Sequence, residues 1–407
     1  MAATTAVDQS ATSPRRASQH NLMLVMSTLG FALNFWAWAL LSPLGTHFKS
    51  ALSLSSFNQA LLVAVPVIVG SLGRIPVGAL TDRFGGRVMF PLISGLTIIP
   101  VLFIGYAGYR SFAGLLVGGF FLGISGSSFA VGIPFVNAWF PAERRGMALG
   151  LFGMGMGGTA ISALTTVKLV NHFDIHTPFL IVAIALAVYA VAAALVLRDA
   201  PGRVPPSEKT MARLAATAKL AVTWQAAALY AVGFGGYVAF SVYLPTYLKN
   251  AYGLTQDDAA MKMAGFVLLA VALRPIGGWL SDRVAPARVL AGAFAVVLAF
   301  ALAQAATPEL APTGTIAFLG MAAALGAASG AVFALVAQRA PANRVGAVTG
   351  VVGAAGGLGG FVPPLFMGSI YGHTNSYAGG LVALAVVALL AVLGALAIGG
   401  GRRRATA

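Results

Sequence analysis

The chain has 407 residues, of which 58% are hydrophobic and only 9% charged, and its mean hydropathy is +0.87. A soluble domain carries about 25% charged residues, and one this apolar would have a surface of hydrocarbon, so a soluble enzyme, a nucleic-acid-binding domain and a disordered chain are excluded as classes. The net charge of +15 fits Lys and Arg retained on one face of a membrane, and a sequence without cysteine has no disulfide, thiolate nucleophile or Cys-held metal.

Residues 1–20 are polar and small, with Arg15 and Arg16 near their end, and lack the apolar run and cleavage site of a signal peptide; they read as a cytoplasmic N-terminal tail. Twelve apolar stretches follow, at 22–45, 57–80, 88–108, 112–138, 146–170, 178–197, 222–248, 259–281, 288–306, 312–337, 345–370 and 377–399. About 20 apolar residues cross the ~30 Å hydrocarbon core. These runs are continuous rather than alternating, so helices and not a barrel are expected. Eighteen Lys and Arg fall on one side of the spans and five on the other, with Arg74 and Arg274 inside them; the richer side is read as cytoplasmic, with both termini there. The segment 199–220 holds Pro201, Pro205, Pro206 and several charges, and reads as a cytoplasmic linker between six-helix units at 21–198 and 221–400, with 401–407 as a C-terminal tail.

The two units repeat at an offset of 200 residues. Arg74 matches Arg274, Gly78 matches Gly278, Asp82-Arg83 matches Asp282-Arg283, Pro141 matches Pro341 and Arg144 matches Arg344. Gly146, Gly150, Gly153 and Gly157 match Gly346, Gly350, Gly353 and Gly357. Charged, Pro and Gly matches in one register are a poor product of chance. Parallel six-helix repeats place a substrate site at their interface near the midplane. The fold class expected is an all-α membrane protein, with twelve transmembrane helices in two pseudo-symmetric six-helix bundles.

The stretch Gly78-Ala-Leu-Thr-Asp82-Arg83-Phe84-Gly85-Gly86-Arg87 resembles the signature between helices two and three of the major facilitator superfamily. The resemblance covers essentially the whole chain and implies the major facilitator fold. The second copy, Gly278 to Arg288, keeps Asp282 and Arg283 but loses the Gly pair. Asp82 at a helix end, with Arg83 and Arg87 a turn away, is expected to clamp a neighbouring helix end in one conformation, as are Asp282 and Arg283.

Arg74 lies eight residues before Asp82, which at 1.5 Å per residue is about 12 Å into the membrane. Arg274 sits at the same depth. A charge there costs at least ~2.5–3.5 kcal/mol, so its presence points to function. All ten acidic residues fall in loops or at helix ends. Two cations facing one cavity about 8 Å apart repel by roughly 2 kcal/mol at an effective dielectric of ~20, and a small anion between them relieves that and accepts hydrogen bonds from both guanidinium forks.

Helices five and eleven carry glycine at spacings of three and four, including Gly150, Gly153 and Gly157, and Gly353, Gly357 and Gly360. Such stripes let backbones approach closely and are expected to pack and move. With the paired arginines they resemble the nitrate/nitrite porter family. That resemblance implies an anion gripped by Arg74 and Arg274 and lined by aromatics, for which Phe129 and Tyr230 match. The helix-five signature usually has Asn where this chain has Met156. The partners expected are nitrate, nitrite or another small monoanion and the lipid bilayer of the cell membrane, with no nucleic acid, cofactor, metal or catalytic residue, and the chain acts as a monomer. With no Asp, Glu or His at the depth of the arginines, nitrate/nitrite exchange is favoured; a proton-coupled nitrate symporter and a carrier of another small or organic anion are the alternatives. An intramembrane enzyme would need a nucleophile–base pair or metal ligands at that depth, and none is apparent.

Overall fold

The computed structural model describes residues 14–204 and 210–404. Residues 1–13 of the expected N-terminal tail, 205–209 of the expected linker and 405–407 of the expected C-terminal tail lie outside them. Among the described residues, twelve helices are long and apolar enough to cross a membrane. They are α1 (Pro14–Trp38), α2 (Ser56–Phe84), α3 (Gly86–Tyr106), α4 (Phe112–Trp139), α5 (Ala142–His172), α6 (Thr177–Val196), α7 (Ala221–Tyr252), α8 (Gln256–Arg283), α9 (Pro286–Ala305), α10 (Leu310–Arg339), α11 (Val345–Thr374) and α12 (Ala378–Arg404). The protein is all-α and multi-pass, and its helices form two six-helix bundles, α1–α6 and α7–α12.

The ends of these helices follow from local chemistry. The first stops at Trp38 and not at residue 45. Pro43 disfavours helical backbone at the residue before it, and the chain turns over 39–44 into a short helix, Gly45–Ala51. Helices α2 and α8 begin at two-fold related caps: Ser55 Oγ accepts from the Asn58 N–H at 3.1 Å and Thr255 Oγ1 from the Asp258 N–H at 3.2 Å. At their other ends the halves differ. Helix α2 runs to Phe84 and turns at Gly85, whose φ of 84° favours glycine. Helix α8 instead leaves through extended Val284, and Pro286 opens α9 in the first turn. The second copy's turn has no positive φ and needs no glycine where the first has Gly85.

Two helices are broken near the depth of the arginines. Helix α4 passes through a 3-10 stretch at Gly123–Ser127, and α5 through one at Met154–Gly157. The halves meet where α2 packs on α11, α5 on α8 and α10, and α4 on α11. Between the halves, a helix at Thr210–Ala218 packs against both α2 and α11. The end of the molecule that carries the α2–α3 turn, the α4–α5 turn and this linker helix is called the arginine-rich end below.

Candidate functional site

The seam between the halves is closed from the arginine-rich end upward, and it obeys the two-fold repeat. A Cβ on Gly78 of α2 would run into the Gly346 carbonyl and the Gly350 backbone of α11; a Cβ on Gly278 of α8 would run into the Gly146 carbonyl of α5. One turn higher, a Cβ at Gly350 would stand 2.6 Å from the Arg74 carbonyl oxygen, and one at Gly150 2.7 Å from that of Arg274. Helix backbones can touch this way only where side chains are missing. Every buried residue of α11 lies between Val345 and Gly360, the part of the helix that carries these seam contacts.

Two carboxylates fasten the closed end. Asp282, at the end of α8, accepts from the N–H groups of Gly146 and Met147 at 2.9 Å each, at the start of α5. Asp82, at the end of α2, accepts from the N–H of Ala347 at 3.0 Å, at the start of α11. Each thus satisfies orphan donors of a helix N-terminus in the opposite half and meets the positive end of its dipole. Asp82 also takes Nε and Nη2 of Arg213, at 3.2 and 2.9 Å.

Above the seam lie the two arginines, each about 1% exposed. Arg74 donates from Nε to the Gly126 carbonyl at 3.0 Å and from Nη1 to the Gly353 carbonyl at 2.7 Å. The first acceptor is in the 3-10 stretch of α4; the second is on α11, in the other half. Arg274 lies over Gly153 of α5, where a Cβ would stand 2.5 Å from its Nε. Its Nη1 donates to the thioether of Met156, its Nη2 reaches the Tyr230 hydroxyl at 3.4 Å, and its Nε is buried without an acceptor. No described carboxylate pairs with either arginine.

Aromatic rings stand beside both guanidinium groups. Phe129 of α4 and Tyr230 and Phe234 of α7 are nearly parallel, with interplanar angles of 9° and 13° from Phe129 and 7° between Tyr230 and Phe234. Phe333 of α10 stands edge-on to Phe129 and Tyr230, at centroid distances of 5.0 and 4.7 Å. The Arg74 guanidinium carbon is 5.3 Å from the Phe129 and Phe234 rings alike, and that of Arg274 is 5.9 Å from each. Two cations, one from each half, therefore share one pair of ring faces, which attract positive charge.

The Major Facilitator Superfamily model matches residues 27–364. The chain is 51% identical over 372 residues to the probable nitrate/nitrite transporter NarK2 of Mycobacterium tuberculosis, covering 90% of this chain and 94% of that one. It is 35% identical over 372 residues to the nitrite extrusion protein of Bacillus subtilis, covering 91% and 93%. The chain belongs to the major facilitator superfamily, in its nitrate/nitrite porter family. The crystal structure of the human organic anion transporter MFSD10 has the same fold, with a TM-score of 0.76 at 14% identity over 94% of this chain and 100% of that one.

The porter gathers Arg74, Arg274, Phe129 and Tyr230 at one place. Of the glycines, Gly150, Gly153 and Gly353 line the seam beside the arginines; Gly357 faces Ser71 of α2, Gly157 has only Val271 at 3.7 Å, and Gly360 faces Val238 within its own half. Asp82 and Asp282 bridge the halves, whereas Arg83 and Arg283 lie over their neighbours Phe84 and Trp279, at 5.3 and 4.1 Å. Arg87 meets the linker through its backbone N–H, which donates to Asp199 at 3.2 Å. Sequence reasoning left out Phe234, Phe333 and Arg213. Phe234 follows Tyr230 by one helical turn, a spacing that puts both rings on one face, and that signal was present. Phe333 has no counterpart in the repeat, and Arg213 reads as one linker charge among several.

Proposed function

We propose that this porter exchanges nitrate and nitrite across the cell membrane by alternating access, as a monomer with its arginine-rich end in the cytoplasm, and that Arg74 and Arg274 grip the anion against Phe129 and Tyr230. The observation that carries this reading is the bonding of Arg274. Its guanidinium is buried, one nitrogen has no acceptor, another rests on a weak sulfur acceptor and the third is at the limit of hydrogen-bond reach. A buried cation so placed is stabilised by an anion with several oxygen acceptors, and a planar oxyanion fits both the guanidinium fork and the parallel rings. The names of the two bacterial relatives support nitrate and nitrite as that anion.

The geometry also supports a moving seam. Arg74 holds a carbonyl of α11 and Arg274 lies on α5, so an anion held by both arginines draws on contacts between the halves. Opening the arginine-rich end then requires Asp82 and Asp282 to release the helix N-termini they hold. Exchange in proteoliposomes tests the reading: vesicles loaded with nitrite should take up labelled nitrate, and external nitrite should compete while bulky organic anions should not. Uptake blocked by organic anions and indifferent to nitrite would overturn it.

A further inference from the structure

The two clamps are two-fold related, but among the described residues a cation meets only one. Asp282 accepts from backbone N–H groups alone, while Asp82 receives Arg213, whose side chain is 2% exposed. Arg213 belongs to neither bundle; it stands on the linker helix Thr210–Ala218, buried face inward together with Thr217. Two further linker residues converge on the same turn. Arg203 Nη2 donates to the Asp82 carbonyl at 2.8 Å, and Asp199 accepts from the Arg87 N–H and pairs with Arg203 at 3.8 Å. The linker is therefore fastened to the end of α2 at Asp82, where α2 meets the start of α11.

We propose that Arg213 is a positioning residue of the transport cycle: it holds the Asp82 carboxylate on the α11 N-terminus and so biases the carrier toward closure at the arginine-rich end. The physical reason is charge. A carboxylate that is 11% exposed at a helix seam costs desolvation, and a charge-assisted pair with a guanidinium offsets that cost only while both stay in this geometry. The pair also shares its acceptor oxygen, Oδ2, with the Ala347 N–H. Parting α2 from α11 removes the Ala347 donor, and the linker helix, which packs on both as well as on α7, loses one of its supports. Because Asp282 has no such partner among the described residues, the bias acts through one gate of the pair, and it makes the resting orientation depend on the linker rather than on the bundles alone.

The test uses a distance across the arginine-rich end. Glu143 and Asn343 are two-fold related, exposed and in opposite halves, and the chain has no cysteine of its own, so Glu143→Cys and Asn343→Cys accept a spin-label pair at those sites alone. In the purified full-length protein, Arg213→Ala should raise the long-distance population at least about threefold, because the closed state alone loses a favoured contact. Arg213→Lys keeps the charge but not the fork and should shift it less, with the same sign; it also serves if the alanine variant does not fold. In proteoliposomes, Arg213→Ala should change the ratio of half-saturating nitrate concentrations at the two faces, which a loss of folded protein alone would not do. An unchanged distance distribution in both variants would overturn the proposal. The inference rests on alternating access and not on which anion is carried: nitrate and nitrite that leave the parent protein's distances unmoved would count against the anion assignment while the Arg213 shift stood.

Discussion

Arg74 donates from Nη1 to the carbonyl oxygen of Gly353 at 2.7 Å, joining the second helix of one bundle to the eleventh of the other. The related contact in the second half is between Arg274 and Gly153, where a Cβ would stand 2.5 Å from Nε, against 3.0 Å between a Cβ at Gly353 and Arg74 Cδ. Each arginine thus lies on a glycine of the opposite bundle, and what moves one bundle moves the other's cation.

Alanine at these glycines follows from the two distances. Gly153→Ala presses on the charged end of Arg274, whereas Gly353→Ala meets the flexible stem of Arg74. Overpacking of this kind typically costs ~1–3 kcal/mol. Nitrate affinity should fall for both variants and more for Gly153→Ala, while Gly157→Ala, with only Val271 nearby, should stay close to the parent. Calorimetric titration of the purified variants checks the order.

The aromatic lining should divide into strong and weak members. Phe129 faces both guanidinium groups, so Phe129→Leu removes two cation–π contacts, each ~0.5–2 kcal/mol. Tyr230→Phe keeps the ring and loses one hydrogen bond that is already 3.4 Å long. Nitrite affinity should drop at least about tenfold for the first and only a few-fold for the second. The reverse order would place the hydroxyl, and not the ring faces, at the centre of recognition.

Coupling is open to a direct reading. No described carboxylate pairs with Arg74 or Arg274, so neither arginine brings a titrating partner with it. Exchange of internal nitrite for external nitrate should outrun uptake into anion-free vesicles, and an inward proton gradient should add little. Equal uptake into empty vesicles, driven by that gradient, would make the carrier a symporter.

One loop carries a pH signature outside the spans. The Thr177 hydroxyl and N–H and the His176 N–H donate to Asp174 ahead of α6 and hold its carboxyl below the usual carboxylate range. A carboxyl depressed on folding stabilises above its unfolded pKa of about 3.9 and loses that contribution as pH falls through the folded value. Asp174→Asn should therefore lower the melting temperature at neutral pH, and the gap should narrow as the pH drops below 4. A gap independent of pH would mean that packing, and not charge, sets it.

How far the sequence carried the fold differs from element to element. The spans were legible because uninterrupted apolar runs leave the backbone no alternative to helix in lipid, and Arg74 and Arg274 were legible because a buried cation is conspicuous among apolar residues. The end of α1 at Trp38 was written in Pro43 but masked by the apolar residues around it. The 3-10 stretches were not legible, since glycines in Gly123–Ser127 and Met154–Gly157 read equally well as close packing. The acceptors of Arg74 are backbone carbonyls, at Gly126 and Gly353, and a carbonyl has no signature in a residue's identity. Met156, where the helix-five signature usually has Asn, offers sulfur to Arg274.

In the proposed site two guanidinium groups, one per bundle, hold the anion together. Equilibrium binding of nitrate and nitrite to purified Arg74→Lys and Arg274→Lys tests it most directly. Lysine keeps the charge at each position and removes the planar fork. Each single variant should insert and fold but bind both anions at least about tenfold more weakly, a loss of ~1.4 kcal/mol or more. Parent affinity in either variant would contradict it.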